Sequence, residues 1–123
     1  MTMSDIINQH LVQGRDFTFA WAMFLDAFFA AGEHNKYEMT RYEPVELPLT
    51  LEMMAFLASS VHKLTREARI IVPNWVFQEK FVLKRPFFVG NPSDKLRLVY
   101  LVESPPEFKM RNIFTSENTL SRI

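Results

Sequence analysis

The segment from Phe17 to Ala31 constrains the fold most, because Asp26 is its only ionisable residue. A helix over this segment would carry two apolar stripes, Phe17, Trp21, Phe24, Leu25, Phe28 and Phe19, Met23, Ala27, Ala30. A helix that is apolar on nearly all sides is either central in a core or shared with a second chain. We expect the first stripe to enter the core through Trp21, Phe24 and Phe28. The second stripe, through Phe19, Met23 and Ala27, is predicted to contact a second copy or another protein.

This apolar segment is too short to cross a bilayer. It has 15 residues, whereas a spanning helix needs about 20. The N-terminus also lacks the basic segment and apolar stretch of a secretory signal. With 123 residues, the chain has the length of one domain. The sequence therefore predicts a single helical domain over residues 1–123, in a soluble cytoplasmic protein without membrane contact.

Helix signals recur along the chain. Ser4 or Asp5 could cap a first helix and Asp16 a second, which Gly32 would end. Residues 33–48 are polar, contain two prolines and show no amphipathic period, so they are predicted to form a connection.

The second half of the chain also contains residues that can cap helices. Thr50 would cap a helix reaching about Arg69, and Ser93 would cap another. Leu96, Val99 and Tyr100 would share one face of that second helix. The predicted fold is all-α and compact, with short irregular or β-like segments around residues 70–90.

Several kinds of chemistry are missing from the sequence. Absence of cysteine excludes disulfides, thiolate metal sites and a cysteine nucleophile. The three glycines cannot form a phosphate-binding loop or a GxSxG elbow, and the histidines have no metal-ligand spacing. We therefore predict no cofactor and no metal. An enzyme is less expected than a binding protein, since it would have to gather residues such as His62, Glu103 and Arg111 from several elements.

Charge is divided unevenly along a chain whose formal net charge is zero. Residues 1–62 carry three basic and eight acidic groups, and residues 63–123 carry 11 basic and six acidic groups. The candidate contacts for an anion or a nucleic acid in this second half are Lys84, Arg85, Lys95, Arg97 and Arg111. In the alternative interpretation these cations form a solvated rim around core aromatic residues, and Arg111 with Asn112 binds loop carbonyls.

The C-terminal segment ESPPEFKMRNIF, at 103–114, is followed by a closing Leu-Ser-Arg at 120–122. Over residues 73–123 the chain resembles a group of small uncharacterised bacterial proteins associated with toxin–antitoxin-like loci and mobile elements. The resemblance implies a bacterial cytoplasmic protein and a partner encoded nearby, and it supplies no catalytic residues. The expected function is protein–protein interaction, as an antitoxin-like protein or accessory subunit, with a homodimer as the first expectation. The alternatives are a DNA- or RNA-binding regulator and, less favoured, a small enzyme.

Overall fold

The computed structural model describes residues 1–44 and 47–121. The α-helices in this part of the chain are α1 (Met3–Val12), α2 (Phe17–Ala30), α3 (Glu33–Thr40), α4 (Leu51–Glu67), α5 (Asp94–Glu103) and α6 (Pro106–Lys109). Two 3-10 turns, Asn74–Phe77 and Glu79–Phe81, follow α4. A parallel pair of two-residue strands, β1 (Phe87–Phe88) and β2 (Ile113–Phe114), completes the fold. The predicted mainly helical, compact fold is confirmed, and β1 lies within the window expected to be β-like.

Side chains cap the longer helices where local sequence allows it. Asp16 Oδ1 accepts a hydrogen bond from the Phe19 N–H at 2.8 Å, and Thr50 Oγ1 accepts one from the Met53 N–H at 3.2 Å. Both predicted caps are confirmed. Helix α1 begins earlier than expected, because Thr2 rather than Ser4 or Asp5 is its cap. Thr2 and Asp5 form a reciprocal capping box.

The prediction of a connection over residues 33–48 is wrong for its first half, which forms α3. Gly32 does not end α2 in a left-handed conformation; its φ is −75° and it caps α3. Contacts outside α3 hold this short helix in place. Lys36 Nζ donates to the Ala31 carbonyl and lies over the Phe28 ring, and the Thr40 carbonyl accepts from Trp75 Nε1 at 2.9 Å. Contacts with residues outside a helix produce no amphipathic period in its sequence, so the helix could not be recognised there.

Helix α4 is the centre of the core. It packs against α3, α6 and both 3-10 turns. The buried apolar residues of α4 are Ala55, Phe56, Leu57, Ala58, Val61 and Leu64. Its buried hydroxyls on Ser59, Ser60 and Thr65 donate to carbonyls one turn earlier, which satisfies them inside the core.

Helix α2 places its first apolar stripe in the core as predicted. Phe24 and Phe28 are buried, and Trp21 packs edge-on against Phe56 with ring centroids 5.1 Å apart. Full burial of an aromatic or aliphatic side chain contributes about 1.5–3 kcal/mol. The stripe therefore fixes α2 against α4 and leaves α1 to pack on another side of α2.

Candidate functional site

Helix α5 is fastened to the domain at its N-terminus by polar contacts. Ser93 Oγ accepts from the Leu96 N–H at 3.3 Å. Arg97 is half-buried on the inner side of the helix, where its Nε donates to the Pro92 carbonyl at 3.3 Å. Its guanidinium lies 5.0 Å from the centroid of the Phe88 ring. The sequence therefore places a cation, not an aliphatic residue, between α5 and the strand pair.

The C-terminus of α5 is fastened in the same way. The Ser104 N–H donates to the Tyr100 carbonyl, and Ser104 Oγ accepts from the Thr115 N–H at 2.8 Å. Lys109 Nζ donates to the Val102 carbonyl at 2.9 Å, a favourable position for a cation at the negative end of a helix. Both ends of α5 are thus held without burying its apolar side chains.

The outward face of α5 is aliphatic. All ten residues of α5 are described, and none of them is buried. The exposed aliphatic residues, here called the α5 surface, are Leu96, Leu98, Val99, Leu101 and Val102. Leu98 is 66% exposed and Val102 is 76% exposed. A surface helix ordinarily turns its apolar stripe toward its own core, and contiguous exposed apolar residues mark interaction sites.

The partner contact predicted on α2 is mostly covered by the chain itself. Of Phe19, Met23 and Ala27, only Phe19 is exposed, at 38%, while the other two pack partly buried against the core. The centroid of the Phe19 ring lies 5.4 Å from that of the His10 ring in α1 and 4.4 Å from Cζ of the Arg15 guanidinium. The larger apolar surface open to solvent lies on α5.

The five candidate anion contacts do not share one environment. Lys84, Arg85 and Lys95 are exposed, and none of them makes an ion pair within residues 1–44 and 47–121. Arg97 contacts the Pro92 carbonyl and the Phe88 ring beneath α5, as described above. Arg111 is 1% exposed. The prediction of a surface role is therefore wrong for Arg111.

Arg111 is an internal clamp between two segments. Its Nε and Nη2 donate to the Val76 carbonyl at 3.3 and 2.8 Å, and its Nη1 donates to the Glu107 carbonyl at 2.7 Å. Asn112 Nδ2 donates to the Leu83 carbonyl at 3.1 Å. The alternative interpretation, in which this pair binds loop carbonyls, is confirmed. Burial lowers the pKa of Arg111 to about 10, against the opposing effect of the Glu107 carboxylate.

The small-enzyme hypothesis required His62, Glu103 and Arg111 to meet, and only two of them do. His62 Nδ1 lies 3.2 Å from Arg111 Nη1, so Nδ1 accepts and the imidazole is neutral. Burial lowers the pKa of His62, and the Arg111 charge lowers it further. Glu103 is exposed on α5, and the carboxylate beside the clamp is that of Glu107, which pairs with Arg66 at 3.0 Å. This cluster braces the core.

The described ranges contain neither a candidate metal site nor a candidate membrane span. No group of three or more His, Asp or Glu residues there could hold a metal ion, and no helix there has the length and hydropathy to cross a membrane. Comparison of the chain with protein-family models, characterised proteins and solved structures finds no match. The α5 surface is accordingly the candidate functional site on the strength of its own geometry.

Proposed function

We propose that this chain is a non-catalytic interaction protein that contacts another protein chain through the α5 surface. The observation that carries the proposal is the exposure of five aliphatic side chains on a helix that buries none of its residues. An antitoxin-like or accessory role in the bacterial cytoplasm, with a partner encoded nearby, is the biological setting that fits the C-terminal resemblance.

The energetics of the α5 surface support this role. Burial of one aliphatic side chain is worth about 1.5–3 kcal/mol, and a few central residues carry most of the energy of a protein interface. Leu98 and Val102 are the most exposed members of the surface. They therefore have the most area to gain from a partner and are the expected energetic centre.

Co-purification at native expression levels tests the proposal. The wild-type chain, co-expressed with the products of neighbouring genes, is expected to retain one of them. Leu98→Asp should abolish that retention, because an aspartate at the centre of the contact would have to lose its hydration. Ile71→Asp is the matched control, since Ile71 is 70% exposed and lies outside α5. Retention of no partner, or equal retention by the Leu98→Asp variant, would contradict the proposal.

A DNA- or RNA-binding role is the second candidate. It is favoured by the exposed side chains of Lys84, Arg85 and Lys95, which form no ion pair with any residue that the structure describes. Binding driven by phosphates weakens steeply with salt. A filter-binding titration of wild type and a Lys84→Glu/Arg85→Glu variant should then show tight, salt-sensitive binding for the wild type alone. Absence of binding at low salt would exclude this role.

A further inference from the structure

One row of the α5 surface has charges of opposite sign at its two ends. Lys95, Val99 and Glu103 follow one another at intervals of four residues, so they lie on one side of the helix within an arc of about 80°. Leu96 and Val102 flank Val99 at equal distances along the chain. All five residues are exposed. Neither Lys95 nor Glu103 makes an ion pair with any other described residue.

This row is complementary to itself in only one orientation. In an antiparallel pair of α5 helices with Val99 on the two-fold axis, Lys95 of each copy faces Glu103 of the other, and Leu96 faces Val102. A parallel pair would set Lys95 against Lys95 and Glu103 against Glu103. Like charges that face each other are destabilising, so the parallel pair is disfavoured.

We propose that a second copy of this chain covers the Lys95–Val99–Glu103 row, forming a two-fold dimer with antiparallel α5 helices. This inference rests on the proposed function, since it names the chain that the α5 surface contacts. Isologous two-fold dimers are the commonest soluble oligomers. Leu98 and Leu101 lie away from the row and stay exposed beside the dimer contact.

The size of the contact sets the expected affinity. A helix of ten residues is about 15 Å long, so a pair of such helices covers less than the roughly 800 Å² per partner of a standard interface. The dimer is therefore expected to dissociate in the micromolar range. Sedimentation equilibrium across 1–500 μM of the full chain would report a concentration-dependent mass between monomer and dimer.

Charge reversal tests the register. Lys95→Glu and Glu103→Lys each replace two intermolecular attractions with two repulsions, and each should weaken dimerisation roughly tenfold. The double variant Lys95→Glu/Glu103→Lys restores opposite charges across the axis and should recover the wild-type dissociation constant. Recovery requires that both charges meet in the same interface. A double variant as weak as the single ones would overturn the register.

Cross-linking tests whether Val99 lies on the two-fold axis. Because the chain contains no cysteine, an introduced cysteine is the only thiol that can react. For helices packed 8–10 Å apart with Cα atoms about 2.3 Å from each helix axis, facing Cα atoms on the two-fold axis lie about 3.4–5.4 Å apart, and a disulfide can span the upper part of this range. Val99→Cys should therefore form a covalent dimer under mild oxidation. Ile71→Cys, at a position that is more exposed than Val99 and lies outside α5, should stay monomeric. Equal cross-linking of both variants would overturn the proposal.

Different experimental results would contradict the α5 dimer and the proposed function. A wild-type chain that stays monomeric at 500 μM overturns the dimer, even where Leu98→Asp still abolishes retention of a neighbouring gene product. That outcome would make the neighbouring gene product the occupant of the α5 surface around Leu98 and would leave the proposed function intact. A dimer whose charge-swapped variant recovers, in a chain that retains no other protein, supports the second copy and contradicts the antitoxin-like or accessory role.

Discussion

Replacement of the buried arginine is the sharpest test of how this fold is held together. Arg111→Met keeps an unbranched apolar stem while it removes the guanidinium. The Val76 carbonyl then loses donors at 2.8 and 3.3 Å, and the Glu107 carbonyl loses a donor at 2.7 Å. Each buried carbonyl left without a partner costs about 1–3 kcal/mol.

The net cost follows from two opposing contributions. Methionine removes the cost of burying a cation, which offsets part of the loss, yet removal of one member of a buried charged cluster typically destabilises a protein by about 3–5 kcal/mol. We expect a loss in that range. It would be a large share of the total of about 5–15 kcal/mol that holds a domain folded.

Urea unfolding followed by far-ultraviolet circular dichroism measures this loss. Arg97→Met is the matched control, because Arg97 also donates to a backbone carbonyl and covers a ring but is only half-buried. Its expected cost is about 1 kcal/mol or less. Equal costs for the two variants, or a cost below 1 kcal/mol for Arg111→Met, would refute the view of Arg111 as the clamp between the second half of the chain and its core.

Two further predictions concern the same core. The pKa of His62 is lowered from 6.5 in the folded state, so the unfolded chain binds the proton more readily, and the free energy of unfolding should fall as pH drops through 6.5. Urea titrations at pH 7.5 and 5.5 should show this loss for wild type and a smaller one for His62→Asn, and equal losses would contradict it. Trp75→Phe leaves the Thr40 carbonyl without its donor, whereas the buried Trp21 Nε1 has no acceptor among the described residues. Trp75→Phe should therefore cost at least about 1 kcal/mol more than Trp21→Phe, and thermal unfolding of both variants checks this.

Local signals in the sequence were sufficient for most helices. Asp16, Thr50 and Ser93 are capping residues directly before apolar periods, and each caps a helix. Helix α3 could not be predicted from its own sequence because contacts with residues outside it stabilise it. Its Thr40 and Met39 are buried by tertiary packing, and the contacts of Lys36 and Thr40 join residues that no helical period connects.

The candidate site was less predictable than the fold. The sequence correctly placed Leu96, Val99 and Tyr100 on a helix, but the apolar spacing predicts an amphipathic helix without showing which side faces the domain. That side is decided by Arg97, whose carbonyl acceptor and aromatic neighbour lie beneath the helix. Likewise, Arg111 could have been a surface anion site or an internal clamp until the carbonyls around it were located.

The strand pair has a consequence for how this chain can change over time. The Phe87 N–H bonds to the Asn112 carbonyl and the Val89 N–H to the Phe114 carbonyl, both at 3.0 Å, so the ends of the segment that carries α5 are tied together. Substitutions on the outward side of α5 remove nothing from the core and carry little folding penalty. The outward side of α5 can therefore change to fit a new partner while the core residues stay constant. Selection for folding acts on the core, and selection for binding acts on the outward side of α5.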